Sequence, residues 1–327
     1  MSLNLSYGGN EAAHGEGPIM STKPYVVVVG GVNMDIAGTP SGALIAHDSN
    51  VGTVRLSHGG VGRNIAHNLA LLGVDVRLIT VFGTDELAIT LKAGCAAAGI
   101  DITPSLTVPH GATSTYLYVT DAAGEMQVAI NDMAITEHLT PDVLLSNLDL
   151  LNQAAVVVME TNLPEDTIAW LAKHVTAPLF CDPISTAKAQ KLEGYVGSIH
   201  TLKPNRLEAQ QLTGVGIHDE WSLSHACDQL LATGLEQAFV SLGAEGLLCA
   251  DRHRSIRLPL AAGEVVNTTG AGDAMMAGLV WAHLNGLDLE KTGMAGIAAS
   301  SIAIQSEQTV NSYMNEALLR ERMTTLE

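Results

Sequence analysis

Tyr25-Val-Val-Val-Val-Gly-Gly31 is a short run, β-branched and apolar, stopped by a glycine pair. A strand with one solvated face alternates apolar and polar residues. An unbroken run such as this reads as a strand buried on both sides, as in a parallel sheet covered by helices. The sequence on either side agrees. Ile65, Leu69 and Leu72 have helical spacing and predict a helix over 62–72, closed by Gly73. A strand over 76–81 and a helix over 86–98 follow. Beyond Pro141 the alternation is regular, with strands expected at 155–159, 178–181, 200–202 and 237–241 and helices between them. A hairpin is expected at 246–250 and 254–259, then helices at 271–285, 289–305 and 312–323. The expected fold class is therefore three-layer α/β/α with a mostly parallel central sheet, ligands lying beyond the carboxyl ends of its strands.

Two stretches interrupt this rhythm. Residues 113–120 alternate as a strand, Asp121-Ala-Ala-Gly124 turns, and 125–130 return. Residues 36–56 are polar, glycine-rich and irregular. Segments near 36–58 and 111–133 are expected to build a small β lid over one end of a single domain spanning 24–323. Residues 1–23, rich in Gly, Ser, Asn and Glu and without period, are expected to be a disordered leader or expression remnant.

Composition narrows the function. Of 327 residues, 47% are hydrophobic and 15% charged, which supplies a sizeable core. A net charge of -18 opposes non-specific nucleic-acid binding. Cys95, Cys181, Cys227 and Cys249 form no CxxC pair, so neither a disulfide framework nor a zinc ribbon is expected, and the reduced cytoplasm is the expected compartment. No apolar run approaches the ~18 residues of a membrane span.

Five motifs carry chemistry. Asn267-Thr-Thr-Gly-Ala-Gly-Asp273 heads a predicted helix. Backbone N–H groups at a helix N-terminus favour anions, so Gly270, Ala271 and Gly272 offer a cradle for a phosphoryl group. Asp273, in the first turn, is placed to take a proton from an alcohol during in-line transfer. The same letters also serve as a turn with a capping aspartate. In Gly59-Gly-Val-Gly-Arg-Asn64, the glycines permit close backbone approach at Gly59 and Gly60, and Asn64 can donate to and accept from a sugar hydroxyl. A plain turn before a core helix fits equally, and Arg63 either reaches a phosphate or stands solvated. Asn33 and Asp35 alternate beyond the first strand and point one way if the chain stays extended, the alternative being an Asx turn. In Lys203-Pro-Asn-Arg-Leu-Glu208, Asn205 and Glu208 have capping-box spacing and also suit phosphates and a water-shelled Mg2+. Ser241-Leu-Gly-Ala-Glu-Gly246 is a turn in which Gly243 and Gly246 leave room for a nucleotide. A Walker A loop, a dinucleotide fingerprint and a hydrolase nucleophile elbow are absent.

Taken together and in this order, the motifs resemble the ribokinase-like (PfkB) carbohydrate kinase family over about 25–311. Within it, Ile130-Asn-Asp-Met133 and His200-Thr-Leu-Lys-Pro-Asn-Arg-Leu-Glu-Ala209 are similar to pseudouridine kinases. The resemblance implies ATP-dependent phosphorylation of a 5′-hydroxyl with Asp273 as base and Gly270–Gly272 as anion hole. It places Asn33, Asp35, Gly59, Gly60 and Asn64 on the ribose, and Asn131 and Asp132 on the lid as readers of the base. It assigns Asn205 to the triphosphate, Glu208 to Mg2+ through water, and Ser241, Gly243, Gly246 and the helix around Ala298 to the adenine site. The family's lid also implies a homodimer. Many members carry Asp where this chain has Asn267, beside a monovalent-cation site; the amide keeps an oxygen without the charge, which leaves K+ activation open. The competing expectations are another sugar or nucleoside kinase (ribose, fructose or adenosine) and a catalytically silent sugar-binding regulator.

Overall fold

The computed structural model describes residues 24–261 and 265–326; the expected leader lies outside them. Its strands, in chain order, are β1 (Tyr25–Val29), β2 (Asn33–Pro40), β3 (Gly52–Gly59), β4 (Asp75–Ile79), β5 (Val81–Phe82), β6 (Leu106–Thr107) and β7 (Thr115–Thr120). These are followed by β8 (Met126–Asp132), β9 (Val156–Glu160), β10 (Leu179–Asp182), β11 (Thr201–Leu202), β12 (Gln237–Ser241), β13 (Leu247–Asp251) and β14 (Ser255–Leu258). The main sheet has eight strands in the order β14-β13-β12-β11-β10-β9-β1-β4. All pairings from β12 to β4 are parallel, and the β12-β13-β14 edge is antiparallel.

The valine run of β1 explains the layers. Val26 and Val28 point into one core, among Ile65, Leu69 and the helices Ala271–Leu284 and Leu289–Ala303. Val27 and Val29 point into the other, among Leu144, Ile168 and Leu171. Period-two alternation thus divides one strand between two helical layers. The helix Ala271–Leu284 is buried from Asp273 through Ala282. It is hydrophobic all round because the helices Val61–Leu71 and Leu289–Ala303 pack against it.

A second sheet, β3-β2-β7-β8, stands beyond the carboxyl end of β1. Here one expectation needs correction. Residues 36–56 are irregular only over 41–51: the remainder belongs to β2 and β3, an antiparallel pair in continuous register from Asn33↔Gly59 to Pro40↔Gly52. Gly38, Pro40 and Gly52 break the hydrophobic pattern, β3 is exposed over 52–57 and β2 is half-buried over 35–38, so no core demands strict alternation there. Asn33 and Asp35 accordingly sit on an extended strand and not in an Asx turn.

Candidate active site

The carboxyl ends of the parallel strands bring the motifs together. Gly30 and Gly31 follow β1, Glu160 ends β9, Asp182 ends β10, Lys203 follows β11 and Ser241 ends β12. The N-terminus of the helix Ala271–Leu284 closes the same region. Gly270 caps it at φ 82, and a Cβ there would lie 2.1 Å from the Thr309 carbonyl oxygen, so only glycine fits the turn. Ser300 Oγ donates to the Ala271 carbonyl at 2.8 Å and braces the turn from the neighbouring helix.

Asp273 occupies the first turn and is 9% exposed. Asn64 Nδ2 donates to its Oδ2 at 2.9 Å. Burial, then the nearby Asp182 carboxylate, push the Asp273 carboxyl up to about 7, with Asn64 and Lys203 opposing and Glu160 adding to the rise. A carboxylate tuned to neutral pH at a helix N-terminus suits a general base.

Asn33, Asp35, Gly59 and Gly60, expected around the ribose, lie against one another or the Gly31 turn. Asn33 Nδ2 donates to Asp35 Oδ1 at 2.5 Å. The Asp35 carboxyl leans on Gly59, where a Cβ would meet Oδ2 at 2.4 Å. Burial raises Asp35, while the Asn33 bond and Arg63 lower it. Gly60 takes φ 98, and a Cβ on it would strike the Gly31 carbonyl at 2.5 Å. The lid register separates two neighbours that the sequence left together. Ser57, Asp35, Tyr116 and Asn131 are directly opposed in one row, so they share a face; His58, Met34, Thr115 and Asp132 form the row on the other face. Asn131 therefore looks toward Asp35, and Asp132 does not. Tyr118 lies on Asp35's face as well, its ring 5.6 Å from that of Tyr116.

Three residues escaped the sequence reading: Lys203, Asp182 and Glu160. Lys203 Nζ pairs with Asp182 Oδ2 at 3.0 Å and would lie 3.3 Å from a Cβ on Gly272. Burial works against its ammonium, yet Asp182, Glu208 and Asp273 together hold it above the ordinary lysine value. Glu160, fully buried, accepts from Gly31 N–H at 2.6 Å and from Asn162 N–H, and burial raises its carboxyl. The signal for all three was a charged residue ending an apolar strand. Arg63, expected either at a phosphate or solvated, is instead 6% exposed and bonded to protein groups.

On the nucleotide side, Asn205 caps the helix Arg206–Thr213 and forms the expected capping box with Glu208. Glu208 Oε2 and Oε1 accept from Asn205 N–H and Nδ2, both at 2.8 Å. Burial raises Glu208, and Asp182 adds to the rise. An isolated bridge joins Asn205 to Ser241 and so places the two motifs side by side. Among the described residues no cluster of three or more His, Cys, Asp or Glu converges on a metal position. Glu208 and Asp182 are the nearby carboxylates, an oxygen donor set that suits Mg2+ held partly by water. Gly243 and Gly246 shape the turn after β12, Gly246 against the Leu258 carbonyl. Ala298 is fully buried in the core between helices, so another part of its helix would have to meet a nucleotide. Asn267 Oδ1 accepts from Thr269 N–H at 2.9 Å and its Nδ2 donates to the Glu307 carbonyl at 3.1 Å, bracing the approach to Gly270.

This fold and these motifs define a small-molecule kinase, and the chain belongs to the pfkB family carbohydrate kinases, whose profile matches residues 23–316. It is 37% identical to a pseudouridine kinase of Escherichia coli K12 over 295 residues, 89% of this chain and 94% of that one. It is 36% identical to the uncharacterized sugar kinase YeiI of the same organism over 88% of this chain and 80% of that one. Among solved structures, a carbohydrate kinase from Agrobacterium tumefaciens superposes with a TM-score of 0.82 at 28% identity, covering 93% of this chain and 98% of that one. An Arabidopsis thaliana ribokinase complexed with ribose and ATP has a TM-score of 0.81 at 23% identity over 92% and 99% of the two chains. The chain is a phosphotransferase with an alcohol acceptor, of the sugar and nucleoside kinase class. Among the described residues no helix is long and apolar enough to cross a membrane.

Proposed function

We propose that this enzyme transfers the γ-phosphoryl group of ATP to the 5′-hydroxyl of pseudouridine, giving pseudouridine 5′-phosphate and ADP in the cytoplasm. The observation that carries the chemistry is Asp273, buried in the first turn of a helix with its carboxyl tuned to about 7. Its carboxylate accepts the hydroxyl proton as the oxygen attacks. The N–H groups of Gly270, Ala271 and Gly272 hold the transferring phosphoryl, and Lys203, beside Gly272, meets its negative charge. Asn33, Asp35, Gly59, Gly60 and Asn64 hold the ribose. Asn205 and Glu208 face the triphosphate, and Ser241 with the Gly243–Gly246 turn borders the adenine. Mg2+, held by Glu208 through water, would neutralise charge on the phosphates. Lid closure would exclude water from the transfer.

The substrate reading rests on the lid face that Asp35 shares with Tyr116, Tyr118 and Asn131. Two aromatic rings suit a planar base better than a bare sugar. Pseudouridine bears an N1–H that uridine lacks, and the Asn131 oxygen is the acceptor on this face. Losing one such buried bond costs ~1–3 kcal/mol. The opposite face holds the rows Leu56, Ile36, Leu117, Ile130 and Val54, Gly38, Val119, Val128. Most of these apolar side chains are exposed, and we propose that a second copy of the chain covers them.

The test is coupled ATP consumption with Mg2+ on pseudouridine, uridine, ribose, adenosine and fructose. Preference for pseudouridine, abolished by Asp273→Asn, supports the reading. Preference for ribose, fructose or adenosine keeps the mechanism and removes the substrate, and inertness on all five favours a binding role. Asn131→Ala should cut the pseudouridine-to-uridine ratio of kcat/KM about tenfold while Asp132→Ala leaves it within about twofold; equal ratios in both variants would remove Asn131 as the reader.

A further inference from the structure

Arg63 is a permanently charged side chain buried between the substrate motif and the core. Among the described residues it makes no ion pair, and its Nε has no hydrogen-bond partner. Burying a guanidinium is costly; the Cys95 side chain and the Asp35 carboxyl favour its charge. Nη1 donates to the His58 carbonyl at 3.0 Å and to Asn64 Oδ1 at 3.3 Å. Nη2 lies 3.3 Å from His67 Nδ1. Burial, helped by Arg63 and His58, pushes His67 down to about 4, so this ring stays neutral and accepts.

The second contact of Nη1 bears on the base. An amide side chain has two ends, and Asn64 turns its Nδ2 to Asp273 Oδ2 at 2.9 Å. A guanidinium only donates. With Arg63 in place the Asn64 oxygen must face it, because a flipped amide would set its NH2 against the guanidinium. We propose that Arg63 is a positioning residue that locks Asn64 as a hydrogen-bond donor to Asp273 and so holds the base in its proton-accepting form. The inference rests on Asp273 being the base.

The consequence is directional. A bond donated to a carboxylate favours the ionised form, whereas one accepted from a carboxylic acid favours the protonated form. Around Asp273, Asp182 and Glu160 work toward protonation and Asn64 and Lys203 against it. Without Arg63 the amide is free to turn over and accept from the protonated carboxyl. The base then holds its proton more tightly, and the enzyme needs a higher pH to act.

The experiment is the pH profile of kcat/KM for the acceptor, pseudouridine, or ribose if that is the one turned over, for the full chain with saturating Mg2+-ATP; it reports the acceptor-free, nucleotide-bound enzyme. Arg63→Met should move the acid limb up by about half to one unit, a three- to tenfold loss on that limb, with the plateau near pH 9 largely restored. Asn64→Ala should move it equally, and the double variant no further. If Arg63→Met does not fold, Arg63→Gln carries the same comparison, since its amide can donate or accept and cannot impose one orientation. A uniform loss with the limb in place would make Arg63 merely structural and overturn the proposal. A double-variant shift equal to the sum of the two single shifts would assign the effect to charge through space and also overturn it. Asp273→Asn is the control: a variant still active would remove the base, and Arg63's role with it, whereas an inactive one beside an unmoved Arg63→Met limb would refute the Arg63 inference alone.

Discussion

Asp273→Asn should make the protein more stable while it destroys turnover. The carboxyl is raised from 3.8 to about 7 by burial first and Asp182 next. A raised carboxyl keeps its proton in the folded chain while the unfolded chain releases it. Between about pH 4 and pH 7 the native state therefore binds more protons, and stability falls as pH rises through that window. A shift of about three units at about 1.36 kcal/mol each gives ~4 kcal/mol as a ceiling on what is forfeited above pH 7. The attraction to Lys203 is already contained in that net shift. Asparagine has nearly the same shape and no charge, and its oxygen can still accept from Asn64. Urea unfolding of both proteins at pH 4.5 and pH 8, without ligands, makes the comparison. The expected variant matches wild type to within ~1 kcal/mol at pH 4.5 and exceeds it by ~2–4 kcal/mol at pH 8, with unchanged m-value. No gain at pH 8, or an equal gain at both pH values, would refute the claim that this carboxylate is strained by its surroundings.

Other expectations follow from single contacts. Glu208→Gln retains an oxygen for the Asn205 N–H, so the helix should hold to within ~1 kcal/mol. The Mg2+ concentration for half-maximal activity should rise about tenfold, and an unchanged requirement would take Glu208 away from the metal. Tyr116→Ala should reduce the preference for a nucleoside over ribose by about tenfold, as loss of one stacked base contact implies; an equal loss on both acceptors would deny the ring a role in recognition. If the exposed apolar rows form the proposed dimer contact, Leu117→Glu should sediment as a monomer at concentrations where the wild type sediments as a dimer. Persistence of the dimer would place the interface elsewhere.

The layered fold was legible because burial wrote it plainly. The apolar runs at 155–159, 178–181 and 237–241 lie within a residue of β9, β10 and β12, and Pro178 and Pro183 bracket β10. The hairpin and the helices after Pro141 were visible for the same reason. β2 and β3 were not, because a half-buried strand paired with a largely exposed one needs no strict alternation. The glycine motifs and Asp273 were visible because small residues before a helix leave few uses besides a tight turn or an anion. Lys203, Glu160 and Arg63 were not. Their positions depend on which strand ends adjoin in space, and sheet order is a long-range property that a local pattern does not contain. Arg63 in particular reads as a solvated helical residue until β2 and the lid are laid over it.

The lid also carries a constraint on how this enzyme can change. Along β2, β3, β7 and β8 the residues on the face of Asp35 alternate with those of the more apolar opposite face. Two vocabularies are interleaved letter by letter in one short text. Within residues 33–38 and their partners, gaining or losing a single residue would exchange the two faces unless a bulge absorbed it, as one does between Val119 and Thr120. Descendants of this protein can therefore change either face by substitution, one alternate position at a time, and can vary in length at the connections, 41–51 and 121–125, or at the bulge beside Thr120. Divergent relatives should show their insertions there and keep the strand lengths fixed elsewhere.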